Sequence, residues 1–361
     1  MTAVDLGMPR LPTGGAAGPT STPVVGPARP DTPELVDQFG RVATDLRISL
    51  TDRCNLRCTY CMPAEGLDWM PGDERLSDRE LIRLITVAVT RLGVRELRFT
   101  GGEPLLRRGL EDILAACAAL LPRPDISLTT NGIGLERRAA GLAEAGLDRL
   151  NVSLDTLRRE RFQEITRRDR LADVLAGLTA AKAAGLAPLK INSVLMRGVN
   201  ADEAVDLLEF AVGNGYELRF IEQMPLDAQH GWKRAGMVSA QEILDSLRTA
   251  FALRPEAGER GAAPAELWTV DGGPVRVGVI GAVTRPFCDR CDRTRLTADG
   301  QVRSCLFATG ETDLRVLLRG GAGDEEIARA WRDAMWAKAP GHGIDDPDFV
   351  QPHRPMSAIG G

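Results

Sequence analysis

The sequence has no continuous apolar run approaching the roughly 20 residues that cross a bilayer, and this excludes a membrane-spanning helix. It has no excess of positive charge either: 45 Lys and Arg stand against 50 Asp and Glu, a net charge of −5. Nothing at whole-chain level therefore points to nucleic acid or an anionic membrane surface, and any anionic ligand has to be met by a local cluster of cations. No basic stretch followed by an apolar core opens the chain, as a secretory signal requires. The Pro-, Gly- and Ala-rich residues 1–33 read instead as a disordered extension of a cytoplasmic protein. Seven cysteines, an odd number without a secretion signal, argue against a disulfide framework and for metal or redox chemistry.

What is there is ordinary globular material: 361 residues, 43% hydrophobic and 26% charged, enough for about two domains or one large barrel with an appendage. Strand-like runs at 45–51, 95–100, 126–130, 149–154, 189–195 and 217–221 alternate with amphipathic helical runs, the pattern of a parallel α/β fold. The clearest helix starts at Ser77, whose pairing with Glu80 makes a capping box, and carries Leu81, Leu84, Ile85, Ala88 and Leu92 on one stripe. Polar residues gather just past each strand: Thr51 to Cys54, Thr100 to Pro104, Thr129 to Gly132, Ser153 to Asp155 and Glu222 to Met224. Strand ends converge on one face of a (β/α) barrel, so a partial (β/α)6 TIM-type barrel is expected over residues 34–238, with an open doubly wound sheet as the alternative. From Ser239 the pattern shortens, which predicts a smaller C-terminal α+β region over 239–361 packed against the open side.

Alternation within strands adds a second message. Arg47, Arg98 and Lys190 each lie between apolar neighbours that share the opposite face, which in a barrel sends the three cations into the lumen. The competing reading puts them on edge strands with solvated cations.

Cys54, Cys58 and Cys61, spaced C-x3-C-x2-C, follow the first strand. A closed zinc site needs four ligands, and this motif supplies three; on a cubane of four irons, three thiolates leave one iron free to bind a small molecule. Cys288, Cys291 and Cys305 repeat the count of three, with a zinc ribbon completed by His342 or His353 as the competing reading. Arg293 and Arg295, an i, i+2 pair between these cysteines, are suited to clamp phosphates.

The segment Cys54-Asn55-Leu56-Arg57-Cys58-Thr59-Tyr60-Cys61 resembles the cluster motif of radical S-adenosylmethionine enzymes, and Gly101-Gly102-Glu103-Pro104 resembles their methionine-binding segment. Both cysteine groups, with Thr129-Thr130-Asn131-Gly132, Asn151 to Asp155, Arg219 to Glu222 and the final Gly360-Gly361, are similar in combination to the GTP 3',8-cyclase family of molybdenum cofactor biosynthesis, from about residue 38 onward. That resemblance implies two 4Fe-4S clusters held by the six cysteines, S-adenosyl-L-methionine at Tyr60, Gly102, Ser153 and Met224, and GTP at Arg47, Arg98, Thr129, Lys190, Arg293 and Arg295. It implies that a 5'-deoxyadenosyl radical removes the 3' hydrogen of GTP and that the ribose radical attacks C8 of guanine. It implies as well a reducing partner such as flavodoxin or ferredoxin and a downstream cyclic pyranopterin monophosphate synthase, and it leaves a homodimer open. No Walker-type phosphate loop occurs, so a triphosphate here relies on side-chain cations. The resemblance implies that the C-terminal glycines reach the site, whereas the sequence alone favours a frayed terminus. Cys117 reads as a buried apolar side chain. Two other readings are a peptide-modifying radical enzyme with an auxiliary cluster and a non-catalytic zinc module.

Overall fold

Strand β1 (Asp45–Ser49), β2 (Glu96–Thr100), β3 (Asp125–Thr130), β4 (Arg149–Ser153), β5 (Leu189–Val194) and β6 (Glu217–Ile221) run parallel and in sequence order, as the alternating pattern predicts. The computed structural model describes residues 28–360; the extension expected over 1–33 lies, up to residue 27, outside the described residues, as does Gly361. Helices α1 (Asp78–Arg91), α2 (Leu110–Ala118), α3 (Leu135–Glu144), α4 (Arg159–Thr166), α5 (Leu171–Ala183) and α6 (Ala204–Asn214) connect these strands. Ser77 caps α1 through the expected box, accepting from the Glu80 N–H while the Glu80 carboxylate accepts from the Ser77 N–H. The apolar stripe of α1, with Leu81, Leu84, Ile85 and Ala88 fully buried, packs into the main core beside Ile48, Leu97 and Phe99 of the strands. Cys117 on α2 is buried in that core, as expected.

The C-terminal residues do more than cover an open side. After α7 (Ala240–Leu247) come β7 (Leu253–Pro255), β8 (Glu266–Val270) and β9 (Arg276–Ile280), then β10 (Arg293–Leu296), β11 (Gln301–Arg303) and β12 (Thr312–Asp313), followed by α8 (Leu314–Arg319), α9 (Asp324–Trp336) and the short α10 (Met356–Ile359). Strand β9 pairs parallel with β6, and β10 pairs parallel with β1. The sheet therefore reads β12-β11-β10-β1-β2-β3-β4-β5-β6-β9-β8-β7, a parallel run extended at both ends and flanked by antiparallel pairs. No helix among the described residues is long and apolar enough to cross a membrane.

Strands β1, β2 and β5 each lie between two parallel neighbours, so their cations are not on sheet edges. Register places Arg295, Arg47 and Arg98 side by side on β10, β1 and β2. Cys54 leaves the C-terminal end of β1, whereas Cys288 and Cys291 precede the N-terminal start of β10, and the two strands are parallel. The two cysteine groups thus sit at opposite ends of the strands, separated by roughly 16 Å for a five-residue strand.

Candidate active site

A cavity of about 370 Å³ is lined by all six of these cysteines. Its walls also carry Tyr60, Gly102, Ser153 and Met224, and the polar strand residues Arg47, Arg98, Thr129, Arg293 and Arg295. One expected residue is missing: Lys190 does not line the cavity, but lies behind its wall with Nζ 3.3 Å from Glu217 Oε2. Burial, reinforced by Arg219, brings its ammonium down to about 8. Arg219 on β6 and Asn192 on β5 line the cavity in its place. The same alternation that singled out Arg98 was present in Leu218-Arg219-Phe220 and could have found Arg219.

The first cysteine loop is fixed from several sides. The backbone N–H groups of Arg57 and Thr59 donate to the carbonyls of Thr166 and Ile165 at the end of α4, at 3.0 and 2.9 Å. Arg167, left-handed at φ 57°, donates from Nη1 to the carbonyls of Arg57 and Met62 at 2.7 and 3.0 Å. Asp52 accepts from the Met70 N–H at 2.5 Å, and Tyr60 Oη donates to Asp155 Oδ2 at 2.7 Å. Gly102 packs so closely on this loop that a Cβ there would overlap the backbone of Asp52 and Arg53, so only glycine fits. Glu103 is buried and accepts from Thr130 Oγ1, the Asn131 N–H and the Leu105 N–H at 2.7, 2.7 and 2.9 Å.

Burial and Glu103 push the Cys54 thiol up to about 11, and burial with Cys54 pushes Cys61 to about 12. Burial and Asp155 drive Cys58 well above the ordinary thiol value. Bound metal reverses this, because a coordinating thiol is deprotonated outright. Each group's three cysteines are free and half-exposed to one cavity. His342 shares the cavity wall with the second group and stacks edge-on against Phe307.

The second group lies among cations. Arg41, itself buried, donates from Nη1 to the Cys288 carbonyl at 2.6 Å, and Arg293 Nη1 approaches Cys291 Sγ at 3.8 Å. Burial would raise the Cys291 thiol, but Lys338 and Arg293 outweigh it and hold the thiol below its ordinary value. Asp45 at the foot of β1 accepts from Arg47 Nη2 at 3.0 Å and lies 3.8 Å from Arg293 Nε. Burial acts to raise its carboxyl, and Arg47, Arg98 and Arg293 together bring it down to about 2.

The lumen holds more positive charge than it neutralises. Burial and Arg47 lower Arg98 to about 9, and the same causes lower Arg295 to about 9. The buried Nε atoms of Arg98, Arg219 and Arg293 have no hydrogen-bond acceptor among the described residues. Gly360, at φ 83°, is held between Ser49 and Thr100 with its carbonyl accepting from Arg295 Nη1 at 2.5 Å, so the C-terminal segment reaches the site and is not frayed there.

Residues 48–211 match the Radical SAM superfamily and residues 216–344 match Molybdenum Cofactor Synthesis C. The GTP 3',8-cyclase of Streptomyces coelicolor is 70% identical over 91% of this chain and 96% of its own length. GTP 3',8-cyclase 2 of Mycobacterium tuberculosis is 62% identical over the full length of both chains. The chain belongs to the GTP 3',8-cyclase family. Among solved structures, Streptococcus suis SuiB bound to S-adenosylmethionine shares the fold, with a TM-score of 0.56 at 15% identity over 79% of this chain and 67% of that one. In a member of the GTP 3',8-cyclase family, each three-cysteine group has the donor set for a 4Fe-4S cluster with one iron not bound by cysteine.

Proposed function

We propose that this chain converts GTP to (8S)-3',8-cyclo-7,8-dihydroguanosine 5'-triphosphate, the first step of molybdenum cofactor biosynthesis. The observation that carries this reading is a single cavity with a three-cysteine group at each end of the strands and buried arginines with unsatisfied Nε atoms between them. A triphosphate supplies the missing acceptors and the missing negative charge together.

When bound, S-adenosyl-L-methionine on the first cluster supplies the 5'-deoxyadenosyl radical that opens the reaction. The residues do the remaining work by placement. Cys54, Cys58 and Cys61 would hold the first cluster, and Gly102, Tyr60, Ser153 and Met224 would receive S-adenosyl-L-methionine. Arg47, Arg98, Arg219, Arg293 and Arg295 with Thr129 fix GTP in the lumen, and Lys190 shares Glu217 with Arg219 behind the wall. Cys288, Cys291 and Cys305 would hold the second cluster, which would supply an iron able to bind the base. The strands would hold the ribose of GTP in a fixed orientation towards the first site. In this reading residues 34–238 bring the radical machinery, and 239–361 bring the second cluster and the glycine tail. A one-electron donor such as flavodoxin or ferredoxin feeds the enzyme, and a cyclic pyranopterin monophosphate synthase consumes the product. A cytoplasmic location fits these partners.

The test is anaerobic turnover of GTP deuterated at C3', with mass analysis of the 5'-deoxyadenosine released. Deuterium in that product is the expected result. Cleavage of S-adenosylmethionine without deuterium transfer would remove GTP as the substrate.

A further inference from the structure

Helix α9 is anchored by Trp331, fully buried and donating from Nε1 to Thr294 Oγ1 of β10 at 3.0 Å. Just beyond the helix, Lys338 is 4% exposed and does not line the cavity. Its Nζ donates to the carbonyls of Arg293 and Cys291 at 2.9 and 3.1 Å, and to Cys291 Sγ at 3.4 Å. All three ammonium hydrogens are used, and among the described residues none goes to a carboxylate. A buried cation without an anion is strongly disfavoured. The anion within reach is the thiolate that Cys291 becomes when it holds a cluster.

Among the described residues no lysine donates to a thiol of the first site. There Cys54 Sγ is met by two neutral donors, Asn131 Nδ2 at 3.8 Å and the Leu56 N–H at 3.5 Å, with the carboxylates of Glu103 and Asp155 and the more weakly acting guanidinium of Arg57 as the charges nearby. We propose that Lys338 is a positioning residue of the second cluster, pairing its ammonium with the Cys291 thiolate and setting that cluster at a higher reduction potential than the first. A fixed cation stabilises the more negative, reduced form of a cluster, and hydrogen bonds to the ligand sulfurs act in the same direction. The contact with the Arg293 carbonyl ties the same ammonium to the strand that carries two of the lumen arginines.

The inference rests on the second site holding a cluster, and the experiment separates the two claims. Full-length wild type, K338R and K338M are reconstituted anaerobically, assayed for iron and acid-labile sulfide, and titrated by potential with the clusters followed by electron paramagnetic resonance. The reduction equilibrium of the second cluster in K338M is expected to fall on the order of tenfold, about 59 mV to the negative side for a one-electron couple. K338R is expected to stay near wild type, and the first cluster to keep its potential in both. An unchanged potential in K338M, or a shift in K338R as large as in K338M, overturns the proposal. If K338M loses the second cluster, retention by K338R supports the proposal and loss by K338R overturns it. A wild-type protein with one cluster only would overturn the two-cluster reading itself.

Discussion

The two cysteine groups have the same count and line the same cavity, yet their surroundings carry opposite charge. Around the first, buried carboxylates dominate: burial pushes Glu103 up to about 7 and Asp155 up to about 6, against hydrogen bonds that act the other way. Around the second, Arg41, Arg293 and Lys338 lie against Cys288 and Cys291, and Asp45, beside Arg293, is brought down to about 2 by Arg47, Arg98 and Arg293. Negative surroundings resist added electrons and positive surroundings favour them. The motif therefore fixes that a cluster can bind, and the neighbouring strands decide what electrons do there.

The strongest way to break this contrast is to delete one cluster at a time. Cys58→Ala is expected to abolish both 5'-deoxyadenosine formation and GTP turnover. Cys291→Ala is expected to keep the first and lose the second, measured side by side in reconstituted protein; equal loss of both would show that the sites do not divide the work. Next in size, Arg295→Gln should lower turnover about 10²- to 10³-fold, as for removal of a preorganised charge donor, with iron and sulfide content unchanged. An unaltered rate would remove Arg295 from the substrate clamp.

Asp45→Asn should have a smaller effect. It releases Arg47 and Arg293 without touching the cavity, so the KM for GTP is expected to rise about tenfold, the worth of a hydrogen bond to a charged group, while kcat holds. A fall in kcat alone would contradict that role. The smallest effect is on stability. The raised carboxyl of Asp155 means that the folded state binds its proton more tightly than the unfolded state, so its contribution is full below about pH 4 and is lost as pH climbs to about 6. Asp155→Asn should flatten that slope, worth on the order of 3 kcal/mol at most, in urea unfolding followed from pH 4 to 7. Asp45 has the opposite sign: its contribution is present above about pH 4 and lost as pH falls towards 2.

The sequence is most legible where one period governs. The six core strands and α1 follow from alternation and capping, and Arg47 and Arg98 reach the lumen because a strand sends every second side chain the same way. Lys190 obeys that alternation too, but it sits on the layer where β5 pairs with Glu217 of β6, below the cavity wall. Depth along a strand depends on register between chains of contacts far apart in sequence, which periodicity does not encode. Strand β10 was hidden for another reason. Arg293-Thr294-Arg295 has no apolar alternation to mark a strand, yet as a strand it turns both arginines to the lumen and Thr294 to Trp331. Lys338 carried no signal, since its partners are a sulfur and two carbonyls contributed by residues far earlier in the chain.

The pairing of β1 with β10 also governs how the protein comes into being. During synthesis β1 emerges early and β10 near the end, so the first strand waits with one edge unpaired while most of the chain is made. Contacts of such long sequence separation form slowly, and an open strand edge invites pairing with other chains. The loop bearing Cys54, Cys58 and Cys61 is complete well before that edge closes, whereas the lumen arginines of β10 and the second cysteine group can be set only afterwards. Assembly is thus ordered in time: the cysteines of the first site are made and placed on their loop before those of the second exist.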